Sequence, residues 1–401
     1  MKNPIRVLSF FAVNALFNLA SCFAHPVTPT VIQDLALPDY MFGLALAVMM
    51  TTMFLFSPFW GKINTIIASR ATLLICCAGY AAGQMLFGLA TGMAGILFAR
   101  LLAGIFTGGV FIASLAYVVN TSPAESRGRY LTIYATIQGV FNAFGYFVGG
   151  MLGELGTWYA FLAQAICLLA CGIAFFFCCV PDADPAAGHT KPGALLRECN
   201  PFAAFAAGKT FLNAAWFKLL GVCCFSYVGY NAFEQVFNYY IKDQFGLSSS
   251  YNGTIKFAVG AISLIANSTL CIWLMKKTDI RRTIIPILIL SSLAIAGVIF
   301  APNVALFMGI AVVFYACYFV SVPLSQNIVA GRAEGSGNSS LIMGFYQAVR
   351  AIGGVVGALL AGMLYGFAPK VPFVFACVGL ALSVLCGILY YIDCRAESAV
   401  R

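Results

Sequence analysis

A chain of 401 residues in which 62% of side chains are hydrophobic and only 9% charged, with mean hydropathy +0.93, lies outside the composition of soluble domains. The net charge of +9 sits in short loops between apolar runs, so it reads as a topology signal rather than a nucleic-acid surface.

Crossing a hydrocarbon core of about 30 Å takes roughly 20 apolar residues in helical form. Twelve such runs follow one another near 7–31, 41–60, 71–91, 94–119, 129–153, 157–180, 214–241, 252–275, 283–301, 304–328, 340–366 and 371–392. With both termini inside, most Lys and Arg residues fall on the cytoplasmic side, among them Lys2, Arg6, Lys62, Arg70, Arg127, Arg129, Lys276, Lys277, Arg281, Arg282 and Arg332. The expectation is therefore a multi-pass protein of the cell (inner or plasma) membrane with cytoplasmic termini. The start, Lys2, Arg6, an apolar run and Leu19-Ala20-Ser21-Cys22, imitates a lipoprotein signal. The apolar run continues past Cys22, which argues for a first span. Fifteen cysteines fall in spans or at cytoplasmic ends without a CxxC, so neither a disulfide nor a metal site nor another cofactor is expected.

Polar residues inside spans mark candidate chemistry, because ionisable groups at bilayer depth are costly. Span 1 carries Asn14, Asn18, Ser21 and His25 at helical spacing, and span 7 carries Tyr227, Asn231, Glu234 and Asn238 in the same manner. Each span ends in an aspartate, Asp34 and Asp243. Arg100 lies in span 4, Arg350 deep in span 11, and Lys256 four residues into span 8, where the bland reading is an interfacial snorkeller.

Internal repetition orders these residues. Asp34 and Asp243, Gly43 and Gly253, Arg70 and Arg281, and Tyr134 and Tyr346 match at offsets that drift only from 209 to 212. Gly145-x-x-x-Gly149-Gly150-Met151-Leu152 likewise matches Gly357-x-x-x-Ala361-Gly362-Met363-Leu364. The fold class expected is an all-α membrane protein, with twelve transmembrane helices in two parallel six-helix repeats. The bundles would span 1–180 and 214–401, joined by a cytoplasmic linker at 181–213 with a short surface helix near 194–208. In this register Gln138 pairs with Arg350 and His25 with Glu234, so equivalent places in both halves are polar. Gly353 and Gly357 in span 11 join Gly145, Gly149 and Gly150 in span 5 as close-packing candidates.

Local motifs carry a resemblance. Pro26-Val27-Thr28-Pro29 resembles the PvxP element of the twelve-helix drug:proton antiporters of the major facilitator superfamily. Gly61-Lys62 with Arg70 resembles the loop motif between helices 2 and 3, Arg100-x-x-x-Gly104-x-x-x-Gly108 the helix 4 motif, and Gly145-Tyr146-x-x-Gly149-Gly150 the GPxxGG motif of helix 5. The departures are Thr65 for the loop aspartate, Ala68 for its glycine, Ser69 for an arginine, and Tyr146 for the helix 5 proline. The stretch Tyr230 to Phe237 also resembles helix 7 of the lactose permease group, whose acids pair with lysines of helices 10 and 11. A Glu234–Arg350 pair, direct or bridged by substrate, is the expectation that follows.

The resemblance implies a major facilitator fold with a midplane site reached by alternating access. Proton coupling falls to Glu234, His25 and Arg100. Substrate binding falls to Arg350, Gln138, Asn18, Tyr227, Asn231, Asn238, Tyr315 and Tyr318, and helix contacts to Gly61, Arg70, Gly104 and the glycines of spans 5 and 11. Arg100 and Arg350 against Glu234 leave a positive excess, which suits neutral or anionic amphipathic molecules better than cations. The expected partners are a small-molecule substrate, protons and the lipid bilayer, with no nucleic acid, for a monomer that exports. A proton-coupled uptake symporter for a sugar, nucleoside or organic anion is the alternative. A membrane enzyme is disfavoured by the missing nucleophile–base set, metal cluster and P-loop, and a non-transporting sensor would be expected to carry a signalling domain or long tail.

Overall fold

The computed structural model describes residues 4–122, 127–182, 200, 202, 212–333 and 339–400. Most of the expected linker, its helix near 194–208 included, lies outside the described residues. Helix covers each of the twelve apolar runs, and no strand occurs among the described residues. The helices are α1 (Pro4–Ser21), α2 (Thr28–Asp34), α3 (Met41–Ile66), α4 (Ser69–Gly88), α5 (Met93–Thr121), α6 (Arg127–Leu155) and α7 (Thr157–Cys178). After them come α8 (Ala214–Asp243), α9 (Ser249–Ala266), α10 (Ile272–Lys277), α11 (Ile280–Ile299), α12 (Val304–Ala333), α13 (Ser339–Tyr365) and α14 (Val371–Val400).

Among the described residues nine helical segments are long and apolar enough to cross a membrane, and Arg6–Ser21 is a shorter apolar helix. The chain is a multi-pass membrane protein. The two long helices outside that set, α6 and α8, contain Gln138 and Asn142, and Asn231, Glu234 and Asn238; these polar residues dilute their hydropathy without shortening them. A helix whose polar side chains find protein partners can cross a bilayer despite them. Span 8 is helix throughout, but α9 passes through a π segment, Asn267–Cys271, before α10 resumes. Such a wide turn is a local reshaping of the hydrogen-bond ladder.

The chain folds as two compact units. Unit 1 comprises Met1–Leu37, Val48–Pro201 and Gly246–Gly260; unit 2 comprises Pro38–Ala47, Phe202–Phe245 and Ala261–Arg401. In unit 1, Phe10 packs on Tyr117 and Phe175 with ring centroids at 4.7 and 5.7 Å. Close helix approach there depends on missing side chains. A Cβ on Gly145 or Gly149 would collide with the carbonyl oxygens of Leu19 and Phe23 in the first span. Gly104 meets Met49 and Thr52 of α3 in the same way. An added Cβ on Gly61 meets no described residue within 4 Å, in contrast to Gly104, Gly145 and Gly149. Arg70 lies over the Phe176 ring at 5.1 Å, tying α4 to α7.

The start of α4 shows how a departure from the loop motif is met. Ser69, standing where the family has an arginine, donates its backbone N–H and its hydroxyl to Asp182 Oδ1 and Oδ2 at 2.7 and 2.6 Å, and Asn64 donates to Ser69 Oγ at 3.0 Å. A carboxylate at a helix N-terminus satisfies an orphan donor and matches the helix dipole.

In unit 2, α8 is capped by Asn213, which accepts from Trp216 N at 3.0 Å, and an ion pair from Lys218 to Asp393 at 2.6 Å fastens it to α14. Gly353 and Gly357 of α13 stand against the Cys224 and Val228 carbonyls of α8. At the other end Tyr239 donates to Asp39 at 2.6 Å and Tyr365 to Asp243 at 2.7 Å, with Phe42 stacked on Tyr239.

Candidate functional site: buried charges in each unit

Unit 1 buries Arg100 and Lys256 and holds His25 half-buried. Arg100 of α5 is 4% exposed. Its guanidinium donates to Thr28 Oγ1 at 3.2 Å and Met49 Sδ at 3.5 Å, and its centre lies 4.3 Å from the Phe87 ring centroid. All three partners are neutral. His25, in the turn after α1, is half-buried and stacks on Tyr146 with centroids 5.3 Å apart and planes at 16°. Lys256 is 6% exposed, which corrects the snorkelling assignment: the ammonium is folded into the unit. Gly253 makes this possible by letting α9 pass against the Tyr146 carbonyl and Gly150.

Asn18 is fully buried and gives its amide to Asn14 of its own helix, at 2.8 Å to both the carbonyl and the side-chain oxygen. Its Oδ1 is a buried acceptor with no hydrogen-bond partner, so only the amide N–H of this expected substrate residue is used within its own helix. Gln138 of α6 is half-buried and donates to Tyr134 Oη at 3.3 Å.

Unit 2 holds both signs. Glu234 of α8 is 8% exposed and accepts a 2.6 Å hydrogen bond from the Tyr315 hydroxyl of α12. Phe233 and Phe237 meet the Tyr315 ring edge-on at 5.6 and 5.7 Å, so the bond sits in an aromatic wall. Arg350 of α13 lies 4.5 Å above the Tyr227 ring and donates to Tyr346 Oη at 3.3 Å. Tyr227 precedes Glu234 by about two helical turns, roughly 10 Å of rise. The expected direct Glu234–Arg350 pair is therefore corrected: acid and base stand at different levels of α8, each served by tyrosines. Tyr318 stacks on Tyr230 at 4.3 Å and 3°. Asn231 donates to the Tyr227 carbonyl at 3.0 Å, and Asn238 Oδ1 is a buried acceptor with no hydrogen-bond partner.

The repeat reappears as geometry. Gln138 reaches back one turn to Tyr134 and Arg350 one turn to Tyr346, at the same 3.3 Å. The Tyr134–Tyr346 correspondence was readable in the sequence, but nothing there said that each tyrosine serves the polar residue four positions on. Lys256, Tyr146 and Asp182 were not read as functional. The signal for Tyr146 was its position in a motif that expects proline, and for Lys256 its place inside an apolar run.

Multidrug resistance protein 1 of Bacillus subtilis (strain 168) is 23% identical over 370 residues, covering 90% of this chain and 89% of that protein. Multidrug resistance protein 2 of the same organism is 20% identical over 372 residues, covering 90% of each. The structure of a bacterial homolog of the human lysosomal transporter Spinster superposes with TM-score 0.75 at 13% identity over 98% of both chains. The human organic anion transporter MFSD10 gives 0.66 at 19% identity, over 97% of this chain and 100% of that one. Residues 8–340 match the family description itself, and the chain belongs to the Major Facilitator Superfamily.

Proposed function

We propose that this protein is a proton-coupled secondary transporter that exports neutral or anionic amphipathic organic molecules by alternating access. The observation that carries the reading is Glu234. Among the described residues it is the one buried carboxylate, and it is hydrogen-bonded to a buried tyrosine rather than exposed to lipid. A carboxyl group kept at this depth is costly, which supports a role beyond packing. The names of the Bacillus relatives support export of organic compounds, since both match along nearly the whole chain.

The buried charges support the substrate class. In unit 1 the Arg100 guanidinium is set among neutral partners, so a lipophilic cation there would meet an unfavourable field. Tyr227, Tyr230, Tyr315 and Tyr318 supply aromatic faces and hydroxyls suited to an amphipathic body. In this reading the halves 1–180 and 214–401 are the repeating bodies, the plasma membrane is the location, both termini are cytoplasmic and the monomer is the working unit.

The test is reconstitution in liposomes with an imposed pH gradient and a panel of neutral, anionic and cationic aromatic solutes. Neutral or anionic solutes should drive proton movement in the wild type and not in Glu234→Gln. Selective coupling to quaternary cations, unchanged in Glu234→Gln, would overturn both the coupling and the substrate class.

A further inference from the structure

We infer that Arg350 and the tyrosines beside it, Tyr227, Tyr230 and Tyr346, seat an aromatic carboxylic acid, with the carboxylate on the guanidinium and the ring along Tyr227 and Tyr230. The inference rests on the transport reading above and narrows its substrate class.

The position of Arg350 carries the argument. It stands eleven residues after Ser339 in the 27-residue α13, roughly 16 Å of rise from the helix start, too deep for its side chain to snorkel out. It is nevertheless only half-buried. A cation at that depth is not left against hydrocarbon, so its open side belongs to a water-filled space or to a ligand.

What the protein supplies to the guanidinium is incomplete. Among the described residues its one hydrogen bond goes to Tyr346 Oη at 3.3 Å, and its ring contacts are Tyr227 at 4.5 Å and Tyr346 at 5.5 Å. Glu234 stands about two turns of α8 beyond Tyr227. Ring faces repay part of a cation's lost hydration, and a carboxylate on the unused donor fork repays far more.

The rings are ordered. Tyr227 and Tyr230 are half-buried, with centroids 6.1 Å apart and planes at 28°, and Tyr318 backs Tyr230 at 4.3 Å and 3°. A row of aromatic faces that ends at a guanidinium matches a flat apolar body that ends in a carboxylate. An aliphatic acid would keep the charge contact and lose the ring contacts.

The experiment is equilibrium binding to the purified full chain in detergent, with tritiated naphthaleneacetate, its neutral isostere naphthaleneacetamide and its saturated counterpart decahydronaphthaleneacetate. The wild type should bind naphthaleneacetate about tenfold more tightly than the amide and roughly fivefold more tightly than the saturated acid. Arg350→Gln should erase the preference for acid over amide, and Arg350→Lys should restore part of it. Tyr227→Leu should erase the preference for the aromatic over the saturated acid, and Tyr227→Phe should keep it. Equal affinity for acid and amide in the wild type, no binding of the acid, or either preference surviving its substitution would overturn the site. Should Arg350→Gln bind none of the probes, Arg350→Lys decides: weaker acid binding with unchanged amide binding supports the site, and unchanged acid binding refutes it. The assay contains no gradient, so failed proton coupling in vesicles leaves this result standing, and a failed binding preference leaves coupling through Glu234 to be judged on its own.

Discussion

The two units handle buried charge in opposite ways. Unit 1 sets Arg100 among a hydroxyl, a thioether and a ring face, whereas unit 2 contains an acid and a base and keeps them about two turns of α8 apart, each on a tyrosine. Stability alone favours neither arrangement, because an apolar side chain of similar volume would usually pack as well. A group that must change partners during a cycle, however, is poorly served by a permanent ion pair. The comparison teaches that charges in both units, Arg100 in one and Glu234 and Arg350 in the other, are met by hydroxyls and aromatic rings.

Several substitutions would break or sharpen that contrast. The largest effect is expected from Gly149→Leu. The new side chain meets the Phe23 backbone, and overpacking of this kind costs on the order of 1–3 kcal/mol or more. A lowered thermal midpoint of the purified protein, with the His25 region disturbed, is the expected readout. A midpoint equal to wild type would show that the first span and α6 are less closely packed than described.

Tyr315→Phe comes next. It removes the hydroxyl from Glu234 and leaves a buried carboxyl group short of a partner, at a cost of about 1–3 kcal/mol. Gradient-driven transport should fall while exchange of solute across the vesicle wall is retained. Equal loss of both would point to a packing role for the ring.

Arg350→Gln makes unit 2 resemble unit 1 at the repeat-related position, since Gln138 already reaches Tyr134 as Arg350 reaches Tyr346. Anionic solutes should lose affinity and neutral ones should not, by about tenfold if one charge-assisted contact is lost. An equal loss for both classes would assign Arg350 to structure. Asp182→Ala should have the smallest effect, about 1 kcal/mol of stability, through the α4 N-terminus alone. Chemical denaturation of the reconstituted protein would measure it, and unaltered transport is expected beside it.

Much of the fold was legible in the sequence because bilayer thickness fixes span length, and apolar runs of that length leave little choice of structure. The glycines of spans 5 and 11 were legible as well, since their spacing places them on one helix face. Contacts made across helices were not. Glu234 and Arg350 are both visible as costly residues, but which tyrosine each would take depends on side-chain levels that a repeat offset cannot resolve. The polar stripe marked Asn18, but not that Asn14 one turn away takes its amide N–H while its Oδ1 is left without a hydrogen-bond partner. Lys256 was misplaced for a related reason: four residues from a helix start allows snorkelling, and only the close approach of α9 to α6 at Gly253 turns it inward.

The central assertion is that Glu234 couples the cycle without being needed to hold solute. It is tested most directly by comparing solute exchange at zero gradient with uphill accumulation under a pH gradient, in vesicles containing Glu234→Gln. Persistent exchange with accumulation abolished is the predicted result; accumulation at the wild-type level would contradict the account.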